Sequence, residues 1–254
     1  MVSSSGLISR LFKSWSFILV AALVATLFLV SACTSSTDTA ETADSSDSGK
    51  SGGTLKVGML SDHVTFDPPN LLGMPDIYTG IHTYDTLVFR NADLTMRPAL
   101  AESWTFNEDA SVWTFKLRED VYFMSYENGA IVKGKEFTAE DVIFSINRMY
   151  DMESPTSSTV APEKPSMVAE DDHTVRFDFG SPNATLLEGL VKYQSQITPS
   201  NVDPDTFAQR TYGTGAYIMT DHVIGERTSF IRNPDYWMDA IPYPDEMIFV
   251  FIAS

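Results

Sequence analysis

The sequence predicts a mixed fold, α+β or irregular α/β. Three observations carry this. Short segments in several places alternate apolar and polar residues with period two, fewer segments show helical spacing, and no regular strand–helix repeat runs through the chain. Such a pattern argues against a barrel.

Taken in order, Leu55, Val57 and Met59 alternate as a first strand. Asp62 to Pro75 is a loop rich in Pro and Gly. Ile77 to Phe89 then carries Ile77, Ile81, Tyr84 and Val88 at helical spacing. Trp104 and Phe106, followed by Trp113, Phe115 and Leu117, alternate with polar neighbours. The intervening Asn107-Glu108-Asp109-Ala110 makes the pair a hairpin. Tyr122 to Lys135 reads as an irregular loop. Thr138-Ala139-Glu140-Asp141 opens a helix, with the Thr138 hydroxyl placed to accept from a free backbone N–H and two acids suited to the positive end. Val142, Ile143, Ile146, Met149 and Tyr150 are its apolar stripe. Asp151 to Pro165 is a loop with three prolines. Val175, Phe177 and Phe179 form a strand, and Thr185 to Tyr193 a short helix. Ala216 to Thr220 and Arg227 to Arg232 are strands joined near Gly225, and Met247 to Phe251 is a last strand.

The first 53 residues have a different composition. Arg10 and Lys13 precede the apolar run Trp15 to Val30, and Ser31-Ala32-Cys33 follows. This is a targeting pattern, and the apolar run is shorter than the roughly 20 residues needed to span a bilayer. It resembles the bacterial lipobox, which implies a lipoprotein signal peptide over 1–32 and lipid attachment at Cys33. Cys33 is the chain's one cysteine, so no internal disulfide is available. Residues 33–53, rich in Ser, Thr, Asp and Gly, read as a flexible linker.

The words "PALAESWTFNEDASVWTFKLRED" and "FTAEDVIFSINRM" carry a more specific resemblance, joined by "LSDHVTFDPPN", "TYDTLVF", "AEDDHTVRFDF" and "YGTGAYIM…RNPDYW". The segment from about Thr54 to about Phe251 resembles the N-terminal portion of the family 5 extracellular solute-binding proteins of ABC transporters, which bind peptides, nickel complexes and related solutes. The resemblance implies a type II periplasmic-binding-protein-like lobe one over 54–254. Its base would be 54–93 and 168–254, with an accessory subdomain at 94–167. It also implies a missing lobe two, so the chain is expected to be a truncated copy or a fragment.

Composition narrows the function classes. The net charge is −17 with no Lys/Arg cluster, which argues against a nucleic-acid partner. His63, His82, His173 and His222 are scattered through the sequence without metal spacing, and no nucleophile elbow or phosphate loop is present. Neither an enzyme nor a cofactor is expected. Gly213-Thr214-Gly215 reads as a loop whose backbone needs positive φ. The resemblance places substrate contact in two segments, at Phe66, Asp67, Pro69, Asn70 and Leu71, and at Tyr212, Gly213 and Thr214. An extended peptide could pair its backbone with such loops. Trp104, Trp113 and Trp237 are expected in the core. The function implied is that of a lipid-anchored, exported, monomeric binding component that hands dipeptides or oligopeptides to ABC permease subunits, facing the periplasm or the cell exterior. The alternative is an inert or surface-interaction lipoprotein fragment without a transport role.

Overall fold

Two four-stranded sheets frame the fold in the computed structural model, which describes residues 52–239 and 244–252. The expected signal segment over 1–32, Cys33 and nearly all of the expected linker lie outside the described residues. No helix among the described residues is long and apolar enough to cross a membrane.

The first sheet has the order β1 (Thr54–Met59), β12 (Glu246–Phe251), β11 (Arg227–Arg232), β10 (Tyr217–Val223). β1 runs parallel to β12, from Thr54 opposite Glu246 to Met59 opposite Phe251, and the other pairs are antiparallel. Met59, Phe66, Tyr217, Met219, Phe230, Met247 and Phe249 form its core.

The second sheet is antiparallel throughout, in the order β4 (Ala101–Phe106), β5 (Val112–Leu117), β9 (Thr174–Asp178), β8 (Ser166–Asp171). Helix α2 (Ala139–Asp151) lays Val142, Ile146 and Met149 into the core that Phe115, Val175 and Phe177 also line. β8 and β9 complete the sheet begun by β4 and β5, so a boundary at 167/168 passes through β8.

Several local expectations hold. Trp104 pairs with Phe115 and Phe106 with Trp113 across the β4–β5 hairpin. Its turn closes through the Ala110 N–H donating to the Asn107 carbonyl at 3.0 Å. Trp113 is buried and Trp104 half-buried, but Phe106 is exposed. The β10–β11 turn falls at Gly225, whose φ of 73° suits glycine.

Other expectations need correction. Tyr122 to Lys135 is no irregular loop. It is a second hairpin, β6 (Tyr122–Glu127) and β7 (Ala130–Glu136), joined by Asn128-Gly129 at φ 51° and 85°. Both residues are left-handed, as the two-residue hairpin turn that matches strand twist requires. The first helix, α1, spans Met74–Thr83 and not Ile77–Phe89, and residues 88–90 are strand β2 (Val88–Arg90), paired with β3 (Met96–Pro98). Its buried face is Pro75, Asp76, Thr79, Gly80 and Thr83, while Met74, Tyr78 and Ile81 are exposed. The proline-rich loop after α2 holds one short helix, α3 (Ser157–Val160), and α4 (Leu186–Leu190) occupies the expected Thr185–Tyr193 segment.

Thr138 caps the start of α2, and Asp141 in its first turn reaches back to it. The Asp141 carboxylate accepts from the Thr138 N–H at 2.9 Å and from its hydroxyl at 3.2 Å. Asp141 also accepts from Lys135 Nζ and from the Ser200 N–H, each at 2.8 Å, which offsets the cost of its complete burial.

Candidate functional site

The chain leaves β1 and turns under α1. Phe66 is buried in the first core, its ring centroid 4.8 Å from His63 and 5.2 Å from His222. Asp67 is buried and accepts from Arg148 of α2 at 3.0 and 2.9 Å. Pro68–Asn70 is a single 3-10 turn, and Pro68, Pro69 and Leu71 are buried. The Pro69 carbonyl accepts from the Ser154 hydroxyl at 2.8 Å, and the Leu71 carbonyl from Gln194 Nε2 at 2.9 Å. Of the five candidates in this segment, Asn70 alone is exposed. Leu72 and Met74, next along the chain, are exposed as well.

The second candidate segment crosses the end of α1. Gly213 and Met124 of β6 exchange both backbone hydrogen bonds, at 2.8 and 3.1 Å. Neither Gly213 nor Gly215 has positive φ, which corrects the sequence reading. What demands glycine is close approach. A Cβ on Gly213 would overlap the Thr83 carbonyl oxygen, and one on Gly215 would sit 2.6 Å from the His82 carbonyl oxygen. Tyr212 is half-buried, 6.1 Å from the Phe207 ring, and its N–H donates to the Tyr84 hydroxyl at 3.4 Å. Tyr212 also lines a surface depression of about 130 Å³ between β6, β7 and residues 199–202. Thr214 is buried, and its hydroxyl donates to Asp85 Oδ2 at 2.9 Å.

Sequence reasoning missed Asp85. Its Oδ2 also accepts from Trp237 Nε1 at 2.9 Å, and its Oδ1 from the Tyr236 hydroxyl at 3.3 Å. Burial pushes the Asp85 carboxyl above the usual carboxylate range, against the pull of these three donors. Burial, then the neighbouring Asp85, pushes the Tyr236 phenol up in turn. Arg118 stacks 4.6 Å over the half-buried Trp237 ring. This carboxylate therefore ties the end of α1 to two distant segments.

The histidines are less scattered in space than in sequence. His63 and His222 lie with ring centroids 5.5 Å apart, and Phe249 and Phe251 pack beside His63. The His63 side chain is 1 % exposed, with Nδ1 3.5 Å from Asp76 Oδ1. No group of three or more His, Cys, Asp or Glu among the described residues is placed to hold a metal ion. Burial pushes His63 down to about 4, against the attraction of Asp76. The unfolded chain therefore takes up a proton near pH 6.5 that the fold refuses, and stability drains as pH falls from 6.5 toward 4. The loss attributable to His63 is at most about 3 kcal/mol. Urea melts of wild type and His63→Phe between pH 7 and 4.5 should show their stability difference moving in favour of the variant as pH falls. A difference independent of pH would refute this account.

Residues 95–254 match the family model described as bacterial extracellular solute-binding proteins, family 5 Middle. Di/tripeptide-binding protein 2 of Pseudomonas aeruginosa (strain UCBPP-PA14) is 30% identical over 193 residues, covering 64% of this chain and 36% of its own length. Heme-binding protein A of Haemophilus influenzae is 27% identical over 180 residues, covering 63% of this chain and 32% of its own. The chain thus spans about a third of the length of these curated relatives. Among solved structures, the ABC transporter-associated periplasmic binding protein DppA from Helicobacter pylori, in complex with peptide STSA, superposes with a TM-score of 0.68 at 29% identity. That match covers 80% of this chain and 43% of the other.

Proposed function

Since the chain belongs to family 5 of the bacterial extracellular solute-binding proteins and has their type II periplasmic-binding-protein fold over part of a lobe, we propose that it contributes to the substrate-binding component of an ABC importer for dipeptides or oligopeptides. The observation that carries the reading is the family match over 95–254, joined to the structural likeness to a peptide-bound relative. In this reading the protein is exported, held at the membrane through lipidated Cys33, monomeric, and docks on permease subunits. Residues 54–93 and 168–254 act as the base of the lobe and 94–167 as an accessory part, with the β4–β5–β9–β8 sheet built from both.

Peptide contact falls on Asn70 and Tyr212, the members of the two candidate segments that reach solvent. The other six residues shape the backbone that presents them. An Asn side chain offers a donor and an acceptor to an extended peptide backbone, and Tyr212 offers a ring face beside a depression.

The test is a thermal-shift and calorimetric screen of the full chain against dipeptides, tripeptides and longer peptides, with haem and nickel chelates as comparators. A peptide that binds the native state raises the midpoint. Asn70→Ala and Tyr212→Ala are each expected to weaken that peptide about fivefold, the value of one hydrogen bond or ring contact of about 1 kcal/mol. A midpoint unmoved by every peptide would count against peptide binding by this chain on its own.

A further inference from the structure

We infer that Arg148 is the positioning residue of the Phe66–Leu71 loop, fixing from α2 the conformation in which Asn70 is turned to solvent. The functional meaning of this rests on the binding reading above; the positioning does not.

Arg148 stands in the last turn of α2. Its two terminal nitrogens donate to the two Asp67 oxygens at 3.0 and 2.9 Å, a fork that a lysine cannot reproduce. The two side chains are 12% and 5% exposed, so the pair is largely out of water. The guanidinium also lies 5.0 Å from the Phe207 ring and 5.6 Å from the Phe144 ring, which hold it independently of Asp67.

Two neutral bonds assist, from Ser154 to the Pro69 carbonyl and from Gln194 to the Leu71 carbonyl. Gln194 is itself held by the Thr156 hydroxyl at 2.8 Å. These three grips all come from residues 148–194, and none from β1, which carries the loop. Locally the backbone is held by its 3-10 turn, Asn70 N–H to the Asp67 carbonyl at 3.0 Å and Leu71 N–H to the Pro68 carbonyl at 3.2 Å, and by the Asp67 N–H donating to the Thr65 hydroxyl at 3.1 Å. Pro68 and Pro69 have no N–H to add. Without Arg148 the Asp67 carboxylate is buried without its cation. The cheapest relief is for Asp67 to swing toward water and carry the turn with it.

Amide exchange by NMR on the full chain, well below each variant's midpoint, reads this directly. The Asn70 and Leu71 amides report the turn, and the β11–β12 amides report the fold. In Arg148→Gln and in Asp67→Asn, exchange at Asn70 and Leu71 is expected to quicken by more than about tenfold relative to β11–β12. The double variant should add little to either single change, and Arg148→Lys should fall between wild type and Arg148→Gln. Equal acceleration in loop and sheet, or none in either, would overturn the inference. Should Arg148→Gln fail to fold, the same ratio in Arg148→Lys decides.

A trialanine titration by calorimetry separates the two readings. No uptake by wild type counts against the binding reading and leaves the amide ratio to judge the positioning. Uptake that Arg148→Lys weakens supports both. Uptake unchanged in a variant whose loop has loosened leaves the positioning standing and overturns its functional meaning, because Asn70 then takes no part in the binding.

Discussion

Asp85→Ala is expected to cost the fold about 3–5 kcal/mol, because three donors lose one acceptor in the same buried place. Thr214, Trp237 and Tyr236 each direct a hydrogen at this carboxylate, at 2.9, 2.9 and 3.3 Å. Truncation leaves a hydroxyl, an indole N–H and a phenol without the carboxylate that they share. Asp85→Asn behaves differently. The amide oxygen takes over the bonds from Thr214 and Trp237, and the NH₂ donates to the Tyr236 hydroxyl, which can accept. Since burial raises the carboxyl's pKa, the native charge is itself costly. The neutral amide escapes that penalty, and its net cost should be about 1 kcal/mol or less. Urea denaturation of the two variants decides the matter: similar losses for Ala and Asn would mean that the hydrogen bonds are not what holds these segments.

The second large effect is at Gly213. An alanine there puts a methyl group into the Thr83 carbonyl oxygen, and its Cβ would also lie 2.8 Å from Tyr84 Cδ1. A flexible side chain could yield, but the oxygen belongs to the last turn of α1. Either the helix end retreats, which pulls on Asp85, or residue 213 withdraws and breaks its two bonds to Met124. The expected loss is about 3 kcal/mol or more, read as a fall in Tm of roughly 6–12 °C for a chain this size. A soluble Gly213→Ala protein melting within a degree or two of wild type would show that α1 adapts freely.

How much could be read from residues alone follows from what each element buries. The β4–β5 hairpin was legible because Trp104 and Phe106 meet Phe115 and Trp113 on alternate positions, and period two is a local signal. α2 was legible because Val142, Ile146 and Met149 form one apolar stripe. α1 was misplaced for the opposite reason. It packs through Pro75, Asp76, Thr79, Gly80 and Thr83, so hydrophobic spacing pointed at the exposed Ile81 and at residues beyond its end. The β6–β7 hairpin carried its strongest mark in Asn128-Gly129. Phe123, Met124 and Ser125 are buried in succession, however, which erased the alternation.

For the two candidate segments, the residues alone did not tell which side chains reach solvent. Phe66 to Leu71 and Tyr212 to Thr214 are brought into ordered, tightly held places, yet most of their side chains face inward. Asp85 was invisible because its partners lie 129, 151 and 152 residues away, and nothing in the Tyr-Asp-Thr neighbourhood announces them. Pairings of that span exist only after the fold does. The His63–His222 contact has the same character.

The parallel seam between β1 and β12 has a kinetic consequence. Thr54 and Glu246, its first partners, are 192 residues apart, whereas all four strands of the second sheet lie within residues 101–178. Closing a long loop costs entropy before any ladder bond repays it, so high contact order delays the first sheet and low contact order favours the second. During synthesis, Thr54–Met59 must wait with both edges open until Glu246–Phe251 arrives. That interval is when the nascent chain is most open to chaperone capture and to mispairing with a neighbour.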